Sequence, residues 1–273
     1  MNMLGIIAGG GEAPKRLIAA CQKLNRPFHV LAFQGQTDAD IGVTGAPVTW
    51  LPLGAAGPAR DLGREKGVKD VVMLGRVRRP SLSELKPDAL MMQKLARIGL
   101  NALGDDGLLK AAVREIEAEG FRVVAPQDVF AELLMPSGQL GKIAPDEQAQ
   151  MDIKRGVEIA RALGTLDVGQ SVIVQQGIVL AVEAVEGTDA LIRRSASLRR
   201  EGAAPVLVKM KKPQQDARFD LPSLGLETVR EAKAAGLGGI AAEAGASLLI
   251  DREEVLRQAD EAGLFVMGIE SHG

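Results

Sequence analysis

Residues 211–225 read KKPQQDARFDLPSLG, a segment in which lysine, arginine and aspartate lie beside two prolines with no apolar period to bury them. The carboxylates of Asp216 and Asp220 are hard oxygen ligands that suit magnesium, and lysine and arginine suit the phosphates that magnesium bridges. Pro222 biases the residue before it away from helix, so Asp216, Arg218 and Asp220 are predicted to project to one side of an extended segment. The segment is interpreted as an anion and metal site, with a solvated charged loop as the alternative.

Gly10 and Gly11 lie in GGGEAP, residues 9–14, between the first predicted strand and the first predicted helix. Free N–H groups and the helix dipole favour an anion at such a position, so both glycines are candidates for binding phosphate. A dinucleotide-binding motif would have glycine where this chain has Pro14, and an acidic residue near Gln34, so NAD is not expected here. A tight turn without a ligand and a site for a phosphate or sugar nucleotide are the two alternatives.

Four further polar or charged residues lie in or next to predicted strands. Arg79 follows the predicted strand VVML, at an edge where open α/β sheets bind ligands, and its guanidinium matches phosphate oxygens. Thr188 and Asp189 lie at a strand-to-helix turn, where either residue could cap the helix or bind substrate or metal. Glu183 lies in the apolar run LAVEAV and needs a partner if it points inward, because an unpaired buried carboxylate is costly.

Composition excludes several classes of protein. Lys and Arg total 33 against 35 for Asp and Glu, and aromatic residues make up 3% with no tyrosine, which disfavours a nucleic-acid binder. The two histidines give little support to a zinc site or a serine-histidine-aspartate triad. Cys21 is predicted to be a small buried hydrophobe in an amphipathic helix. Because no apolar run approaches the length of a membrane span and no basic leader is present, a cytoplasmic location is expected.

Short apolar runs alternate with helical patterns along the first third of the chain, which favours an α/β fold with a parallel sheet covered on both faces. From Met135 the chain contains glycine and proline and lacks the periodicity of a helix or a strand. Residues 135–147 are therefore predicted to be a linker between two domains, 1–134 and 148–273. In the second domain, SVIVQQGIVLAVEAV is predicted to form two strands joined at Gln176-Gly177. No strand is assigned around Trp50 or in the small-residue stretch LGGIAAEAG, residues 237–245.

The chain resembles the LpxI family, the UDP-2,3-diacylglucosamine pyrophosphatases of lipid A biosynthesis. The resemblance covers nearly the whole length and both predicted domains, so it is far more specific than one glycine loop. The matching segments are, in order, LGIIAGGG at the start, V-x-RPS around Arg79, GDD (104–106), LGK (140–142), LDVGQ (166–170), VLAVEAVEGTDALIRR (179–194), KPQQDARFDLPSLG (212–225) and AGLGGIAAEAG (235–245).

The resemblance implies hydrolysis of the pyrophosphate bond of UDP-2,3-diacylglucosamine, giving UMP and 2,3-diacylglucosamine 1-phosphate (lipid X), with Mg²⁺ or another divalent cation. Water attack is expected on the phosphorus attached to the glucosamine. The implied fold is a Rossmann-like N-terminal domain with a parallel sheet, plus a distinct α/β C-terminal catalytic domain. A non-catalytic protein that binds a sugar nucleotide or a lipid is the alternative function.

The resemblance also implies roles for individual residues. Asp220, in the family's R-x-D-L-P element, is expected to be the catalytic residue and a metal ligand, with Asp216 as a further metal ligand. The expected partners are the UDP-sugar substrate and its lipid product, with no nucleic acid, a homodimer, and peripheral contact with the inner face of the inner membrane. The residues expected to bind substrate are Gly10, Gly11, Arg79, Thr188, Asp189, Lys212 and Arg218.

Overall fold

The computed structural model of the protein describes residues 2–78, 85–98, 105–218 and 220–270. The contacts between residues divide the chain into two units, residues 1–131 and 132–273. Each unit contains its own sheet and its own helices. The α/β class predicted from the alternation of apolar runs and helical patterns is confirmed in both.

The sheet of the first unit has five strands in the order β3-β2-β1-β4-β5, and every neighbouring pair is parallel. This strand order is that of a Rossmann-like fold, so the predicted parallel sheet is confirmed. The sequence predicted four of these strands and missed the one that contains Trp50. The strands are β1 (Met3–Ala8), β2 (Phe28–Phe33), β3 (Val48–Leu51), β4 (Val68–Leu74) and β5 (Arg122–Val123).

Helices connect these strands. The first of them buries Leu17, Ile18 and Cys21 on one face, and the cysteine is fully buried as predicted. Burial also raises the pKa of the Cys21 thiol, which disfavours its reactive thiolate form. The helices are α1 (Glu12–Lys23), α2 (Ala56–Glu65), α3 (Ala89–Ile98), α4 (Asp105–Ala118) and α5 (Pro126–Val129), with short 3₁₀ turns at Ala39–Val43 and Ala131–Leu133.

The second unit is built on a six-stranded mixed sheet in the order β6-β13-β11-β9-β7-β8. Its three central strands β13, β11 and β9 are parallel, and the remaining neighbours pair antiparallel. A separate parallel pair joins β10 to β12. The strands are β6 (Gly138–Gln139), β7 (Ser171–Gln175), β8 (Ile178–Val182), β9 (Val206–Lys209), β10 (Ser223–Leu224), β11 (Gly239–Glu243), β12 (Leu248–Leu249) and β13 (Phe265–Ile269).

The helices of the second unit cover both faces of this sheet. Alternate residues of β9 face opposite cores, with Val206 and Val208 in one and Leu207 in the other, as the two-residue period of a strand requires. The core that contains Val208 includes apolar residues of α6, and the core that contains Leu207 includes residues of α7, α8 and α9. These helices are α6 (Glu147–Thr165), α7 (Thr188–Ser195), α8 (Leu226–Ala234) and α9 (Arg252–Glu261).

Residues 135–147, which the sequence assigned to a linker, pack within the second unit. The side chain of Met135 is buried, and its N–H donates to the carbonyl of Ser247 at 2.9 Å. Strand β6 pairs with β13, where a side chain in place of Gly268 would collide with the carbonyl of Pro136. Such a strand cannot be predicted from the alternation of apolar and polar residues, because it has only two residues.

Within the described residues, no helix is both long enough and apolar enough to span a membrane.

Candidate functional site

The charged, proline-containing loop of residues 211–225 follows the end of β9. Gln215 closes a tight turn at its start, since its side-chain oxygen accepts from the N–H of Lys212 at 2.9 Å and its N–H donates to the Lys212 carbonyl at 3.1 Å. The side chain of Gln215 is buried. The loop is therefore ordered by its own side chains as well as by its prolines, which is more than a solvated charged loop requires.

Asp216 and Arg218 form an ion pair inside this loop. The Arg218 Nε lies 3.0 Å from Asp216 Oδ1, and its Nη2 lies 2.7 Å from Asp216 Oδ2. Both carboxylate oxygens of Asp216 are thus engaged by the guanidinium, while the N–H of Asp220 donates to the Asp216 carbonyl at 3.0 Å. The sequence predicted that Asp216, Arg218 and Asp220 project to one side of an extended segment. In the structure, the side chains of Asp216 and Arg218 contact each other.

The described residues contain no group of three or more His, Cys, Asp or Glu side chains arranged to hold a metal ion. Magnesium does not need such a cage, because it commonly binds one or two carboxylates together with substrate phosphates and water. With Asp216 paired to Arg218, the half-buried Asp220 is the carboxylate of the loop that fits this single-ligand arrangement. The donor set is therefore compatible with a magnesium ion shared between the protein and a bound phosphate.

Lys212 is held at the C-terminal end of α6. Its Nζ lies 2.8 Å from Asp167 Oδ1, and the neighbouring Gln214 amide donates to the same oxygen at 3.0 Å and to the Gly164 carbonyl at 2.9 Å. Lys212 is part-buried, whereas Asp167 is about half exposed. The lysine is thus positioned at the surface of the unit, with a partner that a phosphate could replace.

A polar cluster lies at the base of the loop, formed by the buried side chains of Ser171, Glu183 and Lys209 and the half-buried Thr188. The Lys209 Nζ donates to Thr188 Oγ1 at 3.0 Å, and Thr188 Oγ1 donates to Glu183 Oε1 at 2.9 Å. Ser171 Oγ lies 3.3 Å from the same threonine oxygen. Glu183 therefore points inward and has the partner that its burial demands. Burial lowers the pKa of Lys209, and the negative charges of Glu183 and Asp189 oppose that shift.

The structure corrects the capping alternative for Thr188 and Asp189. Helix α7 begins at Thr188, and its N-cap position is Gly187, with a φ of 80° and no side-chain cap. Glycine adopts this φ without the steric cost that a side chain would impose. Thr188 is consequently free of a capping role, and its hydroxyl belongs to the polar cluster instead. Asp189 follows in the first turn, close enough to Lys209 to act on its pKa.

In the first unit, the amides of the glycine loop are used by the protein itself. The N–H of Gly10 donates to the Arg76 carbonyl at 2.8 Å, and the N–H of Gly11 donates to Asp38 Oδ2 at 2.7 Å. A carboxylate thus occupies the anion position at the start of α1. In this arrangement a phosphate would have to displace Asp38 to reach Gly11, whose own φ of 95° keeps the position open only to glycine.

The site residues predicted from sequence fall into three groups. Lys212, Asp216, Arg218 and Asp220 share one loop of the second unit. Thr188 is connected to that loop through Lys209, and Asp189 is the next residue of α7. Gly10 and Gly11 lie in the first unit, and Arg79 lies outside the described residues.

Lys209 is the residue that the sequence interpretation missed. PVLVKM predicts a strand, and the sequence interpretation gives its lysine no role at the site, although a lysine in an otherwise apolar strand is itself a signal.

Comparisons with known proteins agree with this division into two units. The model of the LpxI N-terminal domain matches residues 3–133, and the model of the LpxI C-terminal domain matches residues 136–267. The chain is 40% identical over 277 residues to the UDP-2,3-diacylglucosamine pyrophosphatase LpxI of Caulobacter vibrioides, a match that covers 99% of this chain and 98% of the relative.

Among solved structures, a leucoanthocyanidin reductase from Vitis vinifera in binary complex with NADPH is similar at a TM-score of 0.30 and 10% identity, covering 98% of this chain and 77% of the other. A similarity at that level carries no argument about fold, cofactor or function.

Proposed function

The chain belongs to the LpxI family of pyrophosphate hydrolases, and on that premise we propose that it hydrolyses UDP-2,3-diacylglucosamine to UMP and 2,3-diacylglucosamine 1-phosphate. The observation that carries the proposal is the 40% identity to a relative with this activity along essentially the whole of both chains. The ordered loop that presents Lys212 and Asp220 at the end of β9 supports it, since pyrophosphate hydrolysis needs a cation for the phosphates and a carboxylate for the water.

Asp220 is assigned the central role in this reaction. Its carboxylate orients the attacking water, or would hold Mg²⁺, and Lys212 of the same loop stabilises phosphate charge. When bound, Mg²⁺ supplies further neutralisation of the developing negative charge. Lys212 exchanges its contact with Asp167 for a phosphate oxygen, a charge-assisted hydrogen bond of the stronger kind.

We propose that water attacks the phosphorus attached to the glucosamine. The bond from that phosphorus to the bridging oxygen breaks, and the bridging oxygen leaves with UMP. The oxygen of the water then becomes part of 2,3-diacylglucosamine 1-phosphate. In water labelled with ¹⁸O, the label is expected in the lipid product, and label recovered in UMP would place the attack on the other phosphorus.

The first experiment measures UMP release with Mg²⁺, with EDTA, and with the Asp220→Asn protein. Asparagine keeps the size of the side chain but removes its charge, so turnover is expected to fall by roughly 10²–10⁴-fold, the range typical of a positioned proton-transfer or charge-stabilising group. EDTA is expected to abolish release from the wild type. Folding of the variant is checked by circular dichroism.

A matched control is Asp61→Asn, because Asp61 is exposed on α2 and pairs only at the surface with its neighbour Arg60. Its turnover is expected to equal that of the wild type. Retained turnover in Asp220→Asn would remove Asp220 from the mechanism. Binding of the substrate without any UMP release from folded wild type would instead indicate a sugar-nucleotide or lipid-binding protein.

The two acyl chains of the substrate lead us to propose transient contact with the inner face of the inner membrane, and we also propose a homodimer. Co-sedimentation with phospholipid vesicles tests the first, and analytical ultracentrifugation tests the second. A protein that stays in the supernatant, or that sediments as a monomer, would contradict the respective proposal.

A further inference from the structure

Both ends of the Asp220 loop meet at one side chain. Lys209 is the last residue of β9, and the chain passes from it into the loop. Its Nζ also donates, at 2.9 Å, to the carbonyl of Ser223, the first residue of β10 and the third residue after Asp220. The amino group therefore closes residues 210–222 into a loop whose entry and exit are joined.

The Ser223 carbonyl is available to Lys209 because of the pairing of β10. The carbonyls of Pro222 and Leu224 accept from Leu248 and Ile250, each at 2.8 Å, on the side of β12. The carbonyl between them points to the opposite edge of the strand, as the alternation of a strand requires. Lys209 thus donates to the Ser223 carbonyl, which β12 does not reach. Only residues 221 and 222 separate this contact from Asp220.

The same amino group holds the start of α7. Its second contact is to Thr188 Oγ1 at 3.0 Å, and that hydroxyl donates to Glu183 Oε1. Thr188 and its neighbour Asp189 are residues that we expect at the substrate, so one side chain connects them to the loop that carries Asp220. The connection runs within the second unit and needs no other part of the chain.

Lys209 and Glu183 are both buried, with 6% and 5% of their surface exposed. Lys209 lies on the same face of β9 as the core residue Leu207, because alternate residues of a strand share a face. Burying an amino group there is unfavourable unless its hydrogen bonds are satisfied. Methionine would fill the same space without that cost, so stability alone does not explain a lysine here. What the lysine adds is a fixed distance between three backbone segments.

We propose that Lys209 is a positioning residue, which sets Asp220 and Thr188 relative to each other by joining the Ser223 carbonyl to the first residue of α7. The expected effect on kcat rests on the proposed hydrolysis, whereas the ordering of the loop by Lys209 can be tested without substrate. Lys209 is buried behind the loop and is not assigned any contact with the substrate.

The test replaces Lys209 by methionine and measures both kinetics and hydrogen exchange. A displacement of about 1 Å at a reacting group costs roughly 10²-fold in rate, so kcat for UMP release is expected to fall by about that factor while KM stays within about threefold. Exchange of backbone amides within residues 211–225 is expected to accelerate, and exchange in the strands of the first unit is expected to stay unchanged. A residue with a purely structural role would not produce a selective loss of kcat.

Lys154→Met is the matched control, because Lys154 is exposed on α6 in the same unit and the chemical change is identical. It is expected to leave kcat and loop exchange unchanged. If Lys209→Met does not fold, Lys209→Met combined with Glu183→Gln removes the unpaired carboxylate charge and is expected to fold with the same loss of kcat. Failure of both variants to fold would overturn the positioning role in favour of a structural one.

The proposal is also overturned if Lys209→Met folds with kcat within about twofold of wild type and unchanged loop exchange. Absence of UMP release from the wild type would reject the proposed hydrolysis instead. In that case the exchange measurement still decides whether Lys209 orders the loop.

Discussion

Asp216 and Asp220 lie four residues apart in one loop and have different surroundings. Both oxygens of Asp216 are engaged by the guanidinium of Arg218, in a pair whose side chains are 26% and 40% exposed. An exposed pair of this kind contributes about 0–1 kcal/mol to stability, so its effect is to shape the loop more than to hold the fold. Asp216 then supports the shape of the loop, and the proposed role at the metal or the water belongs to Asp220.

The Asp216→Asn variant tests whether Asp216 supports the loop through Arg218 or binds the metal, as predicted from the sequence. Arg218 loses its charged partner, so kcat is expected to fall by no more than about tenfold and the free energy of unfolding by less than about 1 kcal/mol. The Mg²⁺ concentration that gives half-maximal UMP release is expected to stay within about threefold of wild type. That concentration, measured by titrating Mg²⁺ into metal-free protein, is the deciding quantity.

Asp220→Asn is the comparison for this titration. An increase of more than about tenfold in the half-maximal Mg²⁺ concentration of Asp216→Asn would make Asp216 a metal ligand, as the sequence interpretation held. A change confined to kcat would keep it in its pairing role.

Residue types in this site were predictable, but their pairings were not. Proline and charge in KKPQQDARFDLPSLG indicated a stiffened loop, and the buried Glu183 was expected to need a partner. The partner of Lys212 is Asp167, 45 residues earlier in the chain, and the contact between Lys209 and Thr188 spans 21 residues. Such contacts depend on how β7, β9 and α7 assemble, which local spacing does not encode.

At the scale of elements, the sequence predicted most of the longer strands that are rich in β-branched residues, but it missed β3 and the glycine- and alanine-rich β11. Strand β11, with the sequence GIAAE, lies in the centre of the second sheet and was assigned no structure. Its small residues are required by packing, because a side chain in place of Gly239 would collide with the ring of Phe265. Tertiary contacts, and not intrinsic propensity, decide this strand.

The hairpin in the second unit was predicted from its turn and is confirmed. Gln176 and Gly177 have φ of 51° and 76°, the combination that a two-residue turn with matching twist needs. The sequence did not reveal that Asp152, fully buried on α6, accepts from both turn amides at 2.8 and 2.7 Å. The sequence of α6 does not show which of its polar residues contacts the turn, because that depends on how the hairpin packs against the helix.

The packing of α6 on β9 gives a prediction at this scale. A side chain at Gly156 would approach Val208 Cβ to 2.8 Å, so Gly156→Ala forces the helix away from the strand that leads into the loop. Overpacking is expected to lower the free energy of unfolding by about 1–3 kcal/mol, although alanine is the better helix former by about 1 kcal/mol. Urea unfolding followed by circular dichroism measures the change.

Val208→Ala is the control for that collision, because it removes the methyl groups that alanine at 156 would meet. The double variant is expected to be less destabilised than the sum of the two single changes. If the changes in the free energy of unfolding were strictly additive, residue 156 of α6 and Val208 of β9 would not collide.

At the scale of the whole molecule, the two units allow stability to be measured separately. Trp50 is the sole tryptophan and lies in β3, so its fluorescence reports on the first unit. Circular dichroism and hydrogen exchange report on both. Since proteins with more than one core need not unfold in a single transition, a change confined to the second unit should leave the tryptophan transition where it is.

The buried Lys209 makes the stability of the second unit depend on pH. Its pKa is lowered by burial, so between its folded pKa and the ordinary lysine value of about 10.4 the unfolded chain binds more protons than the folded chain. The contribution of Lys209 to the free energy of unfolding therefore rises with pH in that window and is constant above it. Wild type minus Lys209→Met isolates this contribution, because the other titrating groups cancel.

The measurement is urea unfolding of both proteins from pH 7 to pH 10, with exchange of the second unit as the readout and Trp50 fluorescence as the internal reference. The free energy of unfolding of wild type minus that of Lys209→Met is expected to become more positive as the pH rises. The tryptophan transition of the two proteins is expected to coincide at every pH. A difference that shrinks with pH would mean that Glu183 and Asp189 stabilise the ammonium more than burial destabilises it. In that case the polar cluster is an ion pair that holds the loop by charge, and alkaline conditions would loosen the loop before they affect the first unit.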